Sequence, residues 1–408
     1  EEILLAMAGL LTARRDEVAR TICSEKGKPM KYARAEADRA AYVFRTAAEE
    51  CKRIGGEIVP LDTMPGNDGR WGVIRRFPLG LVLAISPFNF PVNLVCHKLA
   101  PAFAAGNSVV LKPASSTPLS ALLLAEMLCD AGLPPAALSV LPCRGADAER
   151  LVADERFKLL TFTGSPDVGW ALKAKCGRKR VTLELGGNAG AIVHRDADVS
   201  HAAHRCVYGA FAFSGQVCIS LQRIFVHKDI AETFTEEFVS LTKKLKVGNP
   251  AEEDTDIGPM VDAAEAERAG QWIDEAVRGG AKLLCGGGVN GAMMEPAVLT
   301  GTSPEMKINC LEAFAPVVTI SVFDDIGDAI RAVDDSEFGL QAGIFTNDAA
   351  VIERAARDIE VGGLMVNEAP TYRVDHMPYG GVKLSGTGRE GVRFAIEEMM
   401  ESRFIAYC

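Results

Sequence analysis

The sequence predicts an α/β protein with two domains. From Leu79 onward, short apolar segments alternate with helical segments, which is typical of parallel sheets covered by helices on both faces. The chain has 408 residues, enough for more than one domain with its own hydrophobic core. Before that point, a turn-rich stretch at 61–70 and a polar strand at 71–78 predict an excursion from the core.

The elements follow from the spacing of apolar residues. Positions 2–24 carry apolar side chains at helical intervals, with Gly27 and Pro29 as the stop signal, and a second helix covers about 30–53. The first α/β cycle has strands at 80–85, 107–111, 138–141, 158–162 and 181–185, and helices at 92–104, 118–131, 146–153 and 166–175. The second cycle has strands near 190–194, 222–227, 316–322, 341–346 and 363–367.

Composition excludes several classes of function. The net charge of −10 disfavours binding to nucleic acid, and no run approaches the roughly 18–20 apolar residues of a membrane helix, so no membrane partner is predicted. The eleven cysteines contain no C-x-x-C pair, which argues against a disulfide framework and against a metal cluster. Free thiols favour a reducing compartment, and we expect a cytoplasmic protein without a metal.

Two kinds of phosphate-binding signal occur. The pattern G-x-G-x-x-G is found at 286–291 and 386–391, but neither copy follows a convincing strand or begins a helix, so both predict loop glycines. A better candidate is the turn after strand 158–162, where Gly164 and Ser165 precede Pro166 at the start of a helix. An ordinary capped helix is the alternative. Lys112, at the end of another strand, is either at the ligand-binding edge of the sheet or a solvated surface lysine.

Seven segments, in order, resemble the aldehyde dehydrogenase superfamily. They are SPFNFP (86–91), LKPAS (111–115), FTGS (162–165), LELGG (183–187), SGQVC (214–218), EAFAP (312–316) and PYGGVKLSGTGRE (378–390). The resemblance covers nearly the whole chain and is greatest to the branch that contains lactaldehyde dehydrogenases and non-phosphorylating glyceraldehyde-3-phosphate dehydrogenases.

The resemblance implies a division of the chain. An NAD(P)-binding domain would comprise 1–59 and 77–186, and a catalytic domain would comprise 187–385. An oligomerisation arm would combine 60–76 with 386–408, and exchange of its edge strands would make a homodimer or homotetramer.

The resemblance also implies the catalytic groups. Cys218 matches the nucleophile that forms a thioester with an aldehyde substrate, where an isolated cysteine would otherwise be interpreted as a small buried hydrophobe. Asn89 matches the oxyanion donor, although an isolated Asn more often forms a turn. Glu184 matches the general base for thioester hydrolysis, the alternative being a Glu satisfied by a lysine or by backbone amides.

The cofactor implied is NADP or NAD. Glu312 and Phe314 match the pair that holds the nicotinamide ribose and ring, and Lys112 would bind the adenosine ribose or its 2′-phosphate. Ser115 stands where strict NAD users of the family often carry Glu, whose charge repels a 2′-phosphate. We therefore predict that NADP is used, with NAD allowed.

The substrate is the least defined feature. Arg373 lies in a loop that lines the substrate entrance in the family and predicts contact with an anionic group, with an ordinary ion pair as the equal alternative. Lys98 and Glu390 match frequent family positions near the active site but receive no catalytic step. The alternatives are a CoA-acylating aldehyde dehydrogenase, a succinate-semialdehyde dehydrogenase, and a binding protein that has lost catalysis.

Overall fold

The computed structural model describes residues 1–408, which form two α/β regions and a small separate sheet. The first 185 residues contain α1 (Glu2–Ala13), α2 (Arg15–Lys26), α3 (Met30–Glu50), β1 (Glu57–Pro60), β2 (Trp71–Pro78), β3 (Leu81–Ile85), α4 (Asn93–Ala104), β4 (Ser108–Lys112), α5 (Pro118–Asp130), β5 (Leu138–Val140), α6 (Gly145–Ala153), β6 (Phe157–Thr163), α7 (Pro166–Lys175) and β7 (Arg180–Glu184).

The remaining residues continue the alternation. Their elements are β8 (Ala189–Val193), α8 (Val199–Phe211), β9 (Leu221–His227), α9 (Ala231–Thr242), α10 (Ala263–Arg278), β10 (Lys282–Cys285), β11 (Val289–Asn290), β12 (Met293–Met294), β13 (Ala297–Thr300), α11 (Lys307–Cys310), β14 (Val317–Phe323), α12 (Ile326–Asp334), β15 (Phe338–Gly339), β16 (Gln341–Phe345), α13 (Ala349–Asp358), β17 (Gly363–Val366), β18 (Val382–Lys383), β19 (Gly386–Thr387), α14 (Val392–Glu398) and β20 (Met400–Tyr407). Short 3₁₀ turns cover 51–53, 135–137 and 212–215.

Two sheets carry the predicted parallel architecture, and the α/β class is confirmed. The first has six strands in the order β19-β7-β6-β3-β4-β5, and the second has seven in the order β10-β13-β14-β9-β8-β16-β17. Each has one antiparallel edge strand, β19 on β7 and β10 on β13, and the rest pair in parallel. The sequence pattern did not predict the edge strands, because each is only two to four residues long.

The N-terminal helices differ from the prediction in one respect. The single helix expected over 2–24 is two helices that meet at Arg14, whose φ of −100° and ψ of 22° break the hydrogen-bond ladder. No Gly or Pro marks the break, and the apolar spacing continues through it. The second helix ends at Gly27 in a left-handed conformation with φ of 65°, as the stop signal predicts. The apolar faces of α1, α2 and α3 share one core with α4, α5 and one face of the first sheet.

The excursion forms a three-stranded antiparallel sheet in the order β1-β2-β20. Trp71 pairs with Tyr407 at one end and Pro78 with Met400 at the other. The predicted arm, 60–76 and 386–408, overlaps this sheet, whose strands begin at Glu57 and include β20. Residues 386–398 lie elsewhere, since β19 belongs to the six-stranded sheet and α14 contacts α3 and α4. The oligomeric role of this sheet stays a prediction.

This topology brings four strand ends together. The carboxyl ends of β3, β4, β6 and β7 meet at one edge of the first sheet, which faces the loops of the second region. None of the helices combines the length and the apolar content that crossing a bilayer requires.

Candidate active site

A cleft of about 740 Å³ opens where those four strands end. Its walls include Ile85, Lys112, Thr163 and Leu185 from the first sheet, together with residues of α6 and α7 and of two loops of the second region. All six residues predicted to bind the cofactor line it, namely Lys112, Ser115, Gly164, Ser165, Glu312 and Phe314. The size and the position at a sheet edge suit an elongated ligand such as a dinucleotide.

The turn that was predicted to bind phosphate has the predicted position at the start of a helix. Ser165 is the residue before α7 and Pro166 its first residue, so the free N–H groups of this helix begin at the cleft. The Thr163 hydroxyl beside them is buried without a hydrogen-bond partner, which leaves a polar group for a ligand. Neither literal glycine motif lies at the cleft. The copy at 286–291 leads into the β11–β12 hairpin, and the copy at 386–391 includes edge strand β19.

Lys112 and Ser115, which were predicted to bind the adenosine end of the cofactor, both line the cleft. Lys112 is buried, and burial lowers the pKa of its ammonium. Ser115 is exposed, and its hydroxyl donates a hydrogen bond to the Cys143 carbonyl over 3.3 Å. Neither of these two side chains carries a negative charge that would repel a phosphate, and Glu149 of α6, which also lines the cleft, is paired with Lys175 at 2.7 Å.

Glu312 and Phe314 lie where the cleft meets the second region. Glu312 Oε1 accepts a hydrogen bond from the Gly187 N–H at 2.8 Å, and burial raises the pKa of this carboxyl to about 7. A Cβ on Gly186 would collide with the same carboxylate, so the LELGG glycines allow this close approach. Phe314 has a φ of 48°, a strained conformation that directs the loop into the cleft.

Cys218 follows a strained loop at the same end of the cleft. Phe213, Ser214 and Gly215 all have left-handed backbones, with φ values of 49°, 55° and 69°. The Ser214 hydroxyl anchors the loop by donating to the Gly258 carbonyl at 2.8 Å. A Cβ on Gly215 would collide with the Ala315 carbonyl, so this loop and the Glu312 loop are packed directly together.

The thiol of Cys218 is half-buried and lines the cleft. Its Sγ lies 2.9 Å from the Tyr379 hydroxyl. Removal from water raises the pKa of the thiol to about 11, while this hydrogen bond and the nearby charge of Arg373 act in the opposite direction.

Asn89 lies in the cleft wall beside Cys218. Its Nδ2 donates to the Gln216 carbonyl at 3.0 Å, and its Oδ1 accepts from the Phe90 N–H at 3.1 Å. These bonds fix the amide and use one of its two N–H hydrogens. The other remains for a ligand. The predicted oxyanion donor and the predicted nucleophile are therefore in one cleft.

Glu184 ends β7, directly before Leu185 and Gly186 in the cleft wall. Both of its carboxyl oxygens are buried without a hydrogen-bond partner. Burial, with the nearby charge of Glu390, raises the pKa of this carboxyl well above its ordinary value. An unpaired carboxyl in such surroundings is a typical general acid or base.

Buried charges surround Glu184. Lys98 Nζ lies 3.3 Å from Glu390 Oε1 and donates to the Thr161 hydroxyl at 3.1 Å. Burial acts to raise the pKa of Glu390, but the charges of Lys98 and Arg373 outweigh it and keep this pKa below its ordinary value. Glu390 is thus the carboxyl of the cluster that is ionised, and Glu184 is the carboxyl that is more easily protonated.

Arg373 lies in this cluster. Its NH2 group is 3.1 Å from Glu390 Oε2, and the guanidinium carbon is 3.6 Å from the centre of the Tyr379 ring. The side chain is 7% exposed, and its Nε has no hydrogen-bond partner. The ion pair that the sequence left as the alternative is present, and contact with a substrate stays a prediction.

Two residues at the site were not assigned from the sequence. Tyr379 belongs to the PYGG motif, but nothing in the motif indicates that its hydroxyl reaches a thiol 161 residues away. Arg268 lines the cleft from α10, where its guanidinium donates to the Ala313 carbonyl at 2.8 Å. Its only sequence signal is a basic residue on an amphipathic helix, which is a common surface pattern.

The chain was compared with known proteins. The aldehyde dehydrogenase family model matches residues 1–405. The 3-sulfolactaldehyde dehydrogenase of Priestia aryabhattai is 51% identical over 405 residues, covering 99% of this chain and 85% of the relative. The lactaldehyde dehydrogenase of Methanococcus aeolicus is 38% identical over 408 residues, covering 99% and 86%.

Solved structures give the same result. Aldehyde dehydrogenase 21 of Physcomitrella patens, in complex with the reaction product succinate, superimposes with a TM-score of 0.97 at 45% identity, covering 99% of this chain and 85% of that one. The NADP complex of glyceraldehyde-3-phosphate dehydrogenase from Methanocaldococcus jannaschii gives 0.95 at 38% identity, covering 100% and 88%. The predicted resemblance is confirmed, and the protein is an enzyme that oxidises aldehydes to acids: the chain belongs to the aldehyde dehydrogenase family.

Proposed function

We propose that this enzyme oxidises a small anionic aldehyde to its carboxylate with NADP⁺, or less readily NAD⁺, through a thioester on Cys218. The observation that carries the proposal is the position of Cys218 and Asn89 in the cleft wall, with Glu184 directly before the cleft residues Leu185 and Gly186 and near enough to act on the charge of the thiol. Cys218, Asn89 and Glu184 come from three distant parts of the chain. Each of them would supply one of the groups that the reaction requires.

The first step is attack by the sulfur. The Cys218 thiolate adds to the aldehyde carbon, and the carbonyl oxygen becomes an alkoxide. The free N–H of Asn89 and the backbone N–H of Cys218 are the proposed donors to that oxygen. One such donor lowers the barrier by about 3–4 kcal/mol. The bonds from Asn89 to its neighbours hold the donor in place before the substrate arrives.

The residues of the cleft fit a bound dinucleotide. The N–H groups at the start of α7 and the unpartnered Thr163 hydroxyl suit its phosphates, and Glu312 with Phe314 suit the nicotinamide end. The cofactor supplies the acceptor for the hydride that leaves the alkoxide carbon. Lys112 and Ser115 support NADP, since Lys112 brings a positive charge and Ser115 brings no negative charge of its own against a 2′-phosphate.

Hydrolysis of the thioester needs a base. Glu184 is buried, unpaired and has a raised pKa, properties that suit a group which removes a proton from water near neutral pH. The charges of Lys98 and Glu390 act on this carboxyl from close by.

The substrate class rests on Arg373. Its buried guanidinium shares its charge with Glu390, yet Nε remains unpartnered, and the thiol of Cys218 is close enough to respond to its charge. A carboxylate, phosphate or sulfonate a few bonds from the aldehyde carbon would complete its hydrogen bonds. Two of the relatives are named for lactaldehyde and 3-sulfolactaldehyde. Both names agree with a short polar aldehyde as the substrate.

The test is a panel of aldehydes with product analysis. Lactaldehyde, 3-sulfolactaldehyde, glyceraldehyde 3-phosphate and succinate semialdehyde would be compared by kcat/KM from cofactor reduction, with and without CoA. We expect the enzyme to prefer an anionic aldehyde. The product should be the free acid both with and without CoA. An acyl-CoA product would favour the CoA-acylating alternative. Cys218→Ala should abolish turnover, whereas Cys129→Ala, at an exposed cysteine, should not.

The assembly and the compartment are also proposals. Ile58 and Phe404 on the three-stranded sheet are 71% and 51% exposed, which supports pairing of this sheet with a second copy in a homodimer or homotetramer. All eleven cysteines are unpaired, which supports a reducing, cytoplasmic location.

A further inference from the structure

We propose that Tyr379 is a positioning residue for the nucleophile, with its hydroxyl donating a hydrogen bond to the Cys218 thiolate before the aldehyde binds. The inference rests on the proposed role of Cys218 and concerns how its sulfur is oriented and ionised. The Sγ to hydroxyl distance is 2.9 Å, and a hydroxyl at that distance stabilises a thiolate more strongly than a thiol.

The hydroxyl cannot easily move to another partner. Tyr379 is 2% exposed, and its ring packs in a small core with Phe213, Val217 and Leu340. Its backbone forms an antiparallel bridge with Glu390, with N–O distances of 3.0 Å and 2.6 Å. The thiol is the only hydrogen-bond partner that the structure gives to this hydroxyl.

Arg373 adds a positive charge beside the phenol. Its guanidinium carbon lies 3.6 Å from the centroid of the Tyr379 ring, and its charge also acts on the Cys218 thiol. The titratable groups that act on the Cys218 thiol are Tyr379, Arg373, Glu312 and Glu184. Burial and the two carboxyls oppose ionisation of the thiol, while Tyr379 and Arg373 favour it.

The arrangement explains how a half-buried cysteine remains usable as a nucleophile. Without the phenol, only the charge of Arg373 would oppose the effect of burial and of the carboxyls on the thiol. When the carbon–sulfur bond forms, the sulfur loses its negative charge and the hydrogen bond weakens. Tyr379 therefore affects the resting thiolate more than the later acyl-enzyme.

The test is Tyr379→Phe, which removes one oxygen and keeps the ring beneath Arg373. The rate of alkylation of the Cys218 peptide by iodoacetamide would be followed against pH by mass spectrometry. We expect the midpoint to rise by about one pH unit, which is about a tenfold lower thiolate fraction below the midpoint. Tyr407→Phe, at an exposed position on β20 with no hydroxyl hydrogen bond in the structure, should leave the midpoint unchanged.

A second measurement guards against a misfolded variant. The ultraviolet absorbance of the Cys218 thiolate would be followed against pH. For the variant, it is the absorbance of Tyr379→Phe minus that of the double variant Tyr379→Phe with Cys218→Ala. For the wild type, it is the absorbance of the wild type minus that of Cys218→Ala. A variant with an unchanged melting temperature and an unchanged midpoint overturns the inference. Turnover by Cys218→Ala would instead overturn the proposed function, because alkylation reports only on the thiol.

Discussion

Cofactor preference is expected to change on substitution of Ser115 by Glu. Ser115 lies in the cleft wall beside Lys112, is exposed, and uses its hydroxyl only for a 3.3 Å hydrogen bond to the Cys143 carbonyl. A glutamate there would accept hydrogen bonds from both ribose hydroxyls of NAD⁺. The same carboxylate would face the 2′-phosphate of NADP⁺ at close range.

The magnitude follows from exposure. Two unit charges about 4 Å apart in water repel by about 1 kcal/mol, and a 2′-phosphate carries about two charges at neutral pH. Because Ser115 is exposed, the aqueous value applies, and the repulsion is about 2 kcal/mol. This corresponds to about a 30-fold loss in kcat/KM with NADP⁺. Hydrogen bonds from the ribose to a charged acceptor add about 1.5 kcal/mol, or roughly tenfold, with NAD⁺.

The assay measures kcat/KM for both cofactors with one aldehyde. We expect the NADP/NAD ratio to fall by about 300-fold in Ser115→Glu, which is the product of the two factors. Ser116→Glu is the matched control, since Ser116 is also exposed but does not line the cleft. The reasoning fails if both variants change the ratio equally, or if the wild-type enzyme already uses NAD⁺ far better than NADP⁺.

Three further predictions concern the catalytic groups. Glu184→Gln should slow the hydrolytic step by about 10²–10⁴-fold while hydride transfer continues. A burst of reduced cofactor equal to the enzyme concentration should therefore precede slow turnover. An equal loss of the burst and of turnover would contradict this role. Burial raises the pKa of Glu184, so the fraction of carboxylate, and with it the rate, should increase with pH through a midpoint above 4.5. If the pH–rate profile of Glu184→Gln has the same acid limb, that limb belongs to another group. Asn89→Ala should lower kcat by about 10²–10³-fold with little change in the KM for the cofactor. A fall in kcat together with an equally large rise in this KM would indicate a folding role for the side chain.

The sequence predicted most of the fold because each central strand is a short apolar segment next to a helix. Strands β3, β6 and β9 begin and end within one residue of their predicted limits. The break at Arg14, the short edge strands β10 and β19, and the inner strand β13 were missed. An uninterrupted apolar spacing hides the first, and pairing with a distant strand creates the others.

The candidate site divides in the same way. Residues with a recognisable local motif, such as Cys218 and Glu184, were predicted from the sequence, and the structure places Cys218 in the cleft wall and Glu184 directly before it; their roles stay predictions. The contact between Tyr379 and Cys218 was not predicted, since it joins two residues that are 161 positions apart in the chain. Arg373 shows the limit most clearly. Its charge was evident from the sequence, but its ion pair with Glu390 and its position on an aromatic ring required the structure.

The interlocked loops restrict how this protein can be recombined with its relatives. Gly215 has no side chain where the Ala315 carbonyl passes, and Gly186 has none where Glu312 enters. Each loop therefore fits the particular course of a segment far away in the sequence. A chimera with a crossover between 218 and 312 would join loops from different parents and disturb hydride transfer and sulfur attack together. Crossovers that keep these segments from one parent preserve both, which defines the blocks for a shuffled library.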